Sequence, residues 1–364
     1  MTEFFVDPNG MNGLYNQLVR ASGDATDILG YTRQHCDLPA VTEGFLMMVI
    51  GPHKEAYESL TEALAKLTEL ARGAGSQVNL AQLDYAKTDQ DAAAKVDATY
   101  PGAKNPAYVG GMLAPGRPDL TGPHASFADV TEPTARLTSP EYAVAIEMWS
   151  INPLADLVSP AAWLRQISIW LFSFDPLEGW AKSVSGDWKG YTHCAMAMGH
   201  IGAASKDVGA NLLRGAEDVR TVWRGRAAEA EQEFQLALGL AAAGLDDACR
   251  QYKQLYLQAA EAVKSLVDVT AGLISDLLDL LIIINAASVA GTALIETGIG
   301  ALAGYTVAAY YAWQAYDLYK HISDFYGNTE DLLKVIAGSI GAIKAQLAVK
   351  DLPPVQPYHH PAGY

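Results

Sequence analysis

The sequence has few basic residues for its length. It contains 25 lysines and arginines against 41 aspartates and glutamates, which leaves a formal net charge of −16 over 364 residues. A nucleic-acid-binding protein needs a positively charged surface, so we expect no nucleic-acid partner. The same negative charge disfavours attraction to an anionic membrane surface.

Cysteine is also scarce. The three cysteines are Cys36, Cys194 and Cys249, and their odd number and wide spacing exclude a disulfide framework or a zinc-finger spacing. The first residues lack the basic start, apolar stretch and small-residue cleavage site of a secretory signal peptide. By these rules alone the chain is expected to be a cytosolic helical protein.

Catalytic motifs are missing as well. The eight histidines are dispersed, and the one local group contains His193, Cys194 and His200. His193 and His200 could share a helix face and bind a metal, but no further ligand is near in sequence, so ordinary packed residues are the favoured interpretation. The glycine pairs lack the strand–turn–helix context of a phosphate-binding loop. We therefore predict no enzymatic activity, no metal site and no cofactor.

Residues 1–100 carry the spacing of two amphipathic helices. Asp7-Pro8 is a helix start signal, and apolar or small residues then recur at steps of three and four over residues 11–32. A second series begins after Gly51-Pro52 and runs to Tyr85. We expect an antiparallel N-terminal hairpin whose apolar face is covered by another part of the chain.

Residues 101–160 are rich in proline and glycine, and we interpret them as a linker that is extended across a surface or partly disordered. The segment 161–270 follows. Asp175 and Glu178 form a capping-box pattern there, and the spacing predicts a helix over roughly 180–219, a turn at Trp223-Arg224-Gly225, and a very long helix. That last helix carries a heptad stripe: Phe234, Leu238, Ala241, Leu245, Ala248, Tyr252, Leu255, Ala259, Ala262, Leu266 and Val269.

Residues 271–347 are unusually apolar. Residues 280–295 and 297–316 carry no charge, but the first run is short for a membrane span and the second is diluted by polar residues. Gly300 and Gly304 have the spacing that lets helices approach closely, either in a membrane or in a tight soluble hairpin. A buried apolar helical hairpin is the favoured interpretation. The proline-rich tail, 348–364, predicts no regular structure.

Two short motifs lie on the predicted hairpins. In Trp223-x-Gly225 the glycine permits a tight turn, and a large indole at the tip of a hairpin needs a partner surface to cover it. Tyr85 and Asp89 are four residues apart, so the phenol and the carboxylate share a helix face. Each motif alone is also compatible with an ordinary packed turn or a solvated aspartate.

Together, the two motifs resemble the WxG superfamily of type VII secretion substrates of actinobacteria. Members of that superfamily are helical hairpins with a Trp-x-Gly turn and a Tyr-x-x-x-Asp element downstream. Residues 1–100 look like one such hairpin and residues 175–270 like a second. The resemblance implies an all-α fold, with two antiparallel hairpins packed as an elongated four-helix bundle, followed by the apolar C-terminal hairpin.

Each half departs from the family pattern. The first hairpin has Glu43-Gly44-Phe45 in place of Trp-x-Gly, and the second has only the distant variant Tyr326 to Glu330 in place of Tyr-x-x-x-Asp. Since secreted heterodimers of this family combine one motif from each partner, the resemblance implies a covalently joined pair. Its composite export signal would consist of Tyr85, Asp89, Trp223 and Gly225.

Three functions remain open at this point. The first is a non-enzymatic structural or interaction protein, exported without a signal peptide to the cell envelope or medium. Its expected partners are the type VII secretion ATPase and machinery, and a second copy or another helical protein. The second is a membrane-inserting or pore-forming effector that uses residues 271–316. The third is a toxin-type enzyme, which is disfavoured because few residues follow Leu347.

Overall fold

The computed structural model describes residues 4–40, 44–88, 90–104, 127–141, 162–293, 299–352 and 354–355. Two short strands, β1 and β2, pair with each other, and 3-10 turns occur at Pro133–Arg136, Lys344–Gln346 and Ala348–Asp351. In chain order the elements are β1 (Phe5–Val6), α1 (Pro8–Cys36), α2 (Leu46–Tyr85), α3 (Gln90–Asp97), α4 (Ala162–Phe172), α5 (Pro176–Val184), α6 (Trp188–Val222), β2 (Trp223–Arg224), α7 (Arg226–Ala293) and α8 (Ile299–Ile343).

The prediction of an all-α fold is confirmed. Helix α1 packs along α2 on one side and along α6 on the other, while α7 packs along α6 and α8. Helix α8 also contacts α2. One continuous apolar core therefore runs through all the long helices, and each long helix buries a stripe of its own residues in it.

The N-terminal helices follow the sequence signals with one correction. Asp7 caps α1, with its carboxylate accepting from the Asn9 backbone N–H at 3.0 Å, as predicted. Helix α2, however, begins at Leu46 and runs through Pro52 instead of starting after it. Pro52 lies near the helix start, where its missing N–H removes a single hydrogen bond, and the burial of Leu46 and Val49 holds the first turns in place.

The expected helix over residues 180–219 is in fact two helices. Asp175 caps α5 through the Glu178 N–H at 3.2 Å, as the capping pattern predicted, but α5 ends at Val184. Gly186 has a positive φ of 129°, and Asp187 starts α6 by accepting from the Gly190 N–H at 2.8 Å. A glycine in a left-handed conformation followed by a new capping residue ends one helix and begins another.

Helix α7 is continuous from Arg226 to Ala293, so the predicted boundary between residues 270 and 271 falls inside a helix. The heptad stripe holds from Leu238 to Ala259, but Val269 at its end is 50% exposed. Val263, Val267 and Thr270 are buried there instead. A straight helix has 3.6 residues per turn, so a strict heptad stripe drifts off the packed face over several turns.

Part of the predicted linker is docked on the bundle. In residues 127–141 the backbone crosses α1 and α6, with the Phe127 ring fully buried. The Asn211 side-chain oxygen accepts from the backbone N–H of Val130 at 2.9 Å, and Arg20 pairs with Asp129 at 2.5 Å. This segment therefore connects α1 with α6.

The widely spaced cysteines converge in the core. Cys36, Cys194 and Cys249 come from three different helices, are completely buried, and form no disulfide. Burial and the neighbouring Cys36 raise the pKa of the Cys194 thiol well above its ordinary value. Next to this layer the rings of Tyr191 and Tyr256 stack at 4.6 Å. The three thiols therefore pack as small apolar core residues.

The C-terminal helix α8 returns along α7. Gln251 on α7 hydrogen-bonds Gln346, in the turn after α8, at 2.7 Å, and Thr270 on α7 lies beside Tyr326 on α8. The two helices are therefore antiparallel. Tyr326, the first residue of the Tyr-x-x-x-Asp variant, is buried and stacks on Trp180 at 5.7 Å. Within the described residues, no helix combines the length and apolarity needed to span a bilayer.

The close approach of α6 and α7 can be tested by adding a methyl group. A Cβ at Gly209 would lie 2.6 Å from the Gly239 carbonyl oxygen and 2.7 Å from the Ala243 nitrogen. We expect Gly209→Ala to lower the free energy of unfolding by about 1–3 kcal/mol, because the backbones must separate. Gly244→Ala is the matched control: a Cβ there meets nothing within 4 Å, so stability rises by ~0.5–1 kcal/mol. Urea unfolding of both variants measures the difference, and equal effects would contradict the close approach.

Candidate functional site

The Trp223-x-Gly225 turn joins α6 to α7 through a short extended segment. Trp223 and Arg224 form β2, which pairs antiparallel with β1, so that Val6 faces Trp223 and Phe5 faces Arg224. The Arg224 guanidinium lies 5.1 Å above the centre of the Phe5 ring. Gly225 follows with a φ of 137°, a conformation that favours glycine.

The carboxylate of Asp97 holds the first turn of α7. Its Oδ2 accepts from the Arg226 backbone N–H at 2.7 Å and its Oδ1 from the Ala227 N–H at 3.0 Å. The Arg226 guanidinium in turn donates to the carbonyl oxygens of Ala98 and Tyr100. A negative charge on free N–H groups at a helix N-terminus is favourable, so the end of α3 is fastened to the start of α7.

Gly225 is required for a second reason, which is the contact between the Asp97 carboxylate and the start of α7. A Cβ at this position would lie 2.5 Å from Asp97 Oδ2, which is too close for any side chain. The Asp97 side chain is itself buried. The glycine therefore lets the carboxylate reach the helix N-terminus.

The indole of Trp223 packs against the phenol of Tyr85. The ring centres are 5.9 Å apart in a T-shaped arrangement, and Phe4 meets the other side of Tyr85 at 5.8 Å. Trp223 is only 3% exposed, and its indole Nε1 has no hydrogen-bond partner among the described residues. The structure therefore brings Tyr85, at the end of α2, together with Trp223 and Gly225, at the turn between α6 and α7.

The other site residues predicted from the sequence are not seen at this turn. Asp89 lies outside the residues that the structure describes. Gly300 and Gly304 lie in the first turns of α8, far along the chain from the Trp223 turn. The carboxylate seen at this turn belongs to Asp97, which sequence reasoning missed.

One signal could have indicated Asp97. Helix α7 begins directly after Gly225, so its first N–H groups have no side-chain acceptor of their own. A buried helix start of this kind requires an acceptor from elsewhere in the chain. No pattern in the sequence says which of the many acidic residues provides it.

The histidines that we considered as metal ligands pair across α1 and α6. The ring nitrogens His193 Nε2 and His35 Nδ1 are 3.1 Å apart, and His200 Nδ1 lies 2.8 Å from the Tyr31 hydroxyl. Burial lowers the pKa of both His35 and His193. In the part of the chain that the structure describes, no three His, Cys, Asp or Glu side chains are grouped to hold a metal ion.

Comparisons of the chain with models of protein families, with curated proteins and with solved structures find no match.

The Asp97 contact predicts a stability effect. We expect Asp97→Ala to lower the free energy of unfolding by about 1–3 kcal/mol, because two buried N–H groups lose their acceptor. Asp276→Ala, at an exposed position on α7, is the control and stays within ~0.5 kcal/mol of the wild type. Thermal unfolding of both variants is the measurement, and an unchanged Asp97→Ala protein would refute the capping role.

A second prediction concerns Glu231, near the start of α7. Burial raises the pKa of its carboxyl from the ordinary value to about 8, and its Oε1 atom has no hydrogen-bond partner among the described residues. The folded protein therefore binds this proton more tightly than the unfolded chain. The contribution of protonated Glu231 to the free energy of unfolding is complete below about pH 4.5, the ordinary pKa of a glutamate. This contribution is lost as the pH rises to about 8.

We expect Glu231→Gln to remove this pH dependence. In urea unfolding, the free energy of unfolding that is lost between pH 5 and pH 8 becomes smaller by ~1–3 kcal/mol than in the wild type, because no charge forms at this buried side-chain position. Glu261→Gln, at an exposed position of the same helix, leaves the pH dependence as it is. An unchanged difference in Glu231→Gln would show that Glu231 is ionised in the folded protein at pH 7.

Proposed function

We propose that this protein is a non-enzymatic substrate of a type VII secretion system, exported without a signal peptide to the cell envelope or the medium. There it acts as a structural or interaction protein. Its expected partners are the secretion ATPase with its machinery, and either a second copy of the chain or another helical protein.

The proposal treats the chain as a fused pair of hairpins. The first hairpin is α1 with α2, the second is α6 with α7, and docked along α1 and α6 they make an elongated four-helix bundle. Contacts along the α1–α6 boundary support this arrangement: the Gln17 side chain donates to the Asn211 carbonyl at 2.8 Å and accepts from Gln235 at 3.0 Å. Buried polar pairs of this kind favour one register of two helices over others.

The observation that carries the proposal is the contact between Tyr85 and Trp223. A tyrosine near the end of one hairpin and a tryptophan at the turn of the other meet at 5.9 Å, and each hairpin lacks the motif that the other supplies. The joined motifs would therefore fix the shape of one recognition surface at this end of the bundle, with the Trp223 and Tyr85 rings buried beneath it. A machinery that recognised both halves together would export only a correctly folded chain.

Export of tryptophan variants tests the proposal. We expect Trp223→Ala to lower the ratio of protein in the culture filtrate to protein in the cell lysate by about tenfold, the equivalent of ~1.4 kcal/mol of recognition energy. Trp223→Phe keeps an aromatic ring against Tyr85 and should retain part of the export. The measurement is made in a host with an active type VII system.

The control is Trp180→Ala. Trp180 is also buried and stacks on Tyr319 and Tyr326, so its removal destabilises the fold at another place. If Trp180→Ala lowers export as much as Trp223→Ala, the effect reflects folding and the export-signal proposal is wrong. Equal export of wild type and Trp223→Ala would also overturn it.

A further inference from the structure

The charged residues of the antiparallel helices α7 and α8 end at the same level along the two helix axes. Gln251 pairs with Gln346 and Thr270 lies beside Tyr326, and continuing this register places Asp279 level with Asp317. Beyond that level, residues 280–316 contain one charged residue, Glu296, which lies outside the described residues. A protein with a net charge of −16 thus has a sharply bounded arm with a single charged residue.

The described surface of this arm is apolar on both helices. On α7 the side chains of Ile282 and Ile283 are exposed, and on α8 those of Val307, Tyr310, Trp313 and Tyr316. We call these six residues the arm surface. Trp313 is 67% exposed, whereas soluble proteins usually cover an aromatic surface of this size.

The arm surface faces away from the packed seam of the hairpin. Ala308, Ala315 and Ile322, seven residues apart, are buried against α7, and Trp313 and Tyr310 lie on the opposite side of α8. Since both helices expose apolar residues outward, one flat protein partner would cover one side and leave the other in water. A lipid environment surrounds the arm on all sides.

The order of side chains along the arm also fits a lipid surface. Tyr316, Trp313 and Tyr310 lie nearest the charged level at Asp317, and the aliphatic Val307 lies farther out. Tyrosine and tryptophan concentrate where hydrocarbon meets water.

We propose that the arm surface docks this protein on an electrically neutral lipid bilayer. The charged residues beside the arm include Asp276, Asp279, Asp317 and Asp324. These carboxylates meet the headgroups, so zwitterionic lipid is accepted and anionic lipid is repelled.

Vesicle flotation of the full chain tests this docking. We expect the wild type to float with phosphatidylcholine vesicles. The double variant Tyr310→Ser/Trp313→Ser binds the vesicles about tenfold or more weakly, since each ring contributes separately to the binding free energy. Val335→Ser is the matched control: Val335 is on the same helix with the same 67% exposure but lies in the charged part. It binds as the wild type does.

Three outcomes would overturn the proposal: a wild type that does not float, a double variant that floats equally well, or stronger binding when phosphatidylglycerol is added. The expected result with phosphatidylglycerol is weaker binding that recovers in about 1 M salt, where charges are screened. Because the altered residues are exposed, the melting temperature of the double variant stays unchanged, which separates lost docking from lost folding.

Light scattering of the lipid-free protein tests whether a second copy of the chain, instead of lipid, covers the arm surface. A dimer that the Tyr310→Ser/Trp313→Ser variant converts to a monomer would show that a second copy covers the arm, and would overturn docking on lipid. A molar mass that is the same in both proteins supports docking on lipid.

Discussion

The start of α7 must take its hydrogen-bond acceptor from a distant part of the chain, since the residue before it is Gly225. Asp97, at the end of α3, supplies this acceptor, so the longest helix of the protein begins correctly only when α3 is docked against its first turn. The same junction pairs β1 with β2 and seats Tyr85 against Trp223. Local helix formation and tertiary docking are therefore coupled at this end of the molecule.

Away from the junction, small and polar residues set the distance and register of the helices. Gly202 and Gly209 let α6 approach α7 until a Cβ would meet backbone atoms. Gln17, Asn211 and Gln235 form a buried hydrogen-bonded layer between α1, α6 and α7. An unsatisfied polar group in the core is costly, so a shifted register would break this layer. Glycine contacts allow the helices to pack closely, and the polar layer selects one alignment.

The arm and the Trp223 turn lie at separate places on α7. The turn is at the N-terminal end of that helix and the arm at its C-terminal end, with 68 helical residues between the two ends. A substitution at one place therefore leaves the contacts of the other intact. Export recognition and lipid docking, as proposed, can be examined independently.

Sequence reasoning succeeded where the controlling interactions are local. The capping carboxylates of Asp7 and Asp175 and the apolar spacing of the long helices were predicted correctly, since each depends on residues within one or two turns. Pro52 misled the prediction, because a proline normally marks a boundary but is tolerated near a helix start when its neighbours are buried. The heptad stripe failed only at its far end, where the drift of a straight helix accumulates.

Only part of the candidate site could be predicted from the sequence, because prediction depends on local patterns. Tyr85, Trp223 and Gly225 were identifiable as short motifs, but Asp97 carries no motif and works through its distance from a helix N-terminus.

By itself, then, the amino-acid sequence determined the all-α class, most helix positions and the near absence of charge in residues 280–316, because periodicity, capping and charge depend on residues that are close together in the chain. The tertiary structure alone decided that Asp97 caps α7, that residues 127–141 fasten α1 to α6, and that three distant cysteines share one buried layer. These contacts join residues far apart in the chain, and which of them meet depends on the register and closeness of the packed helices.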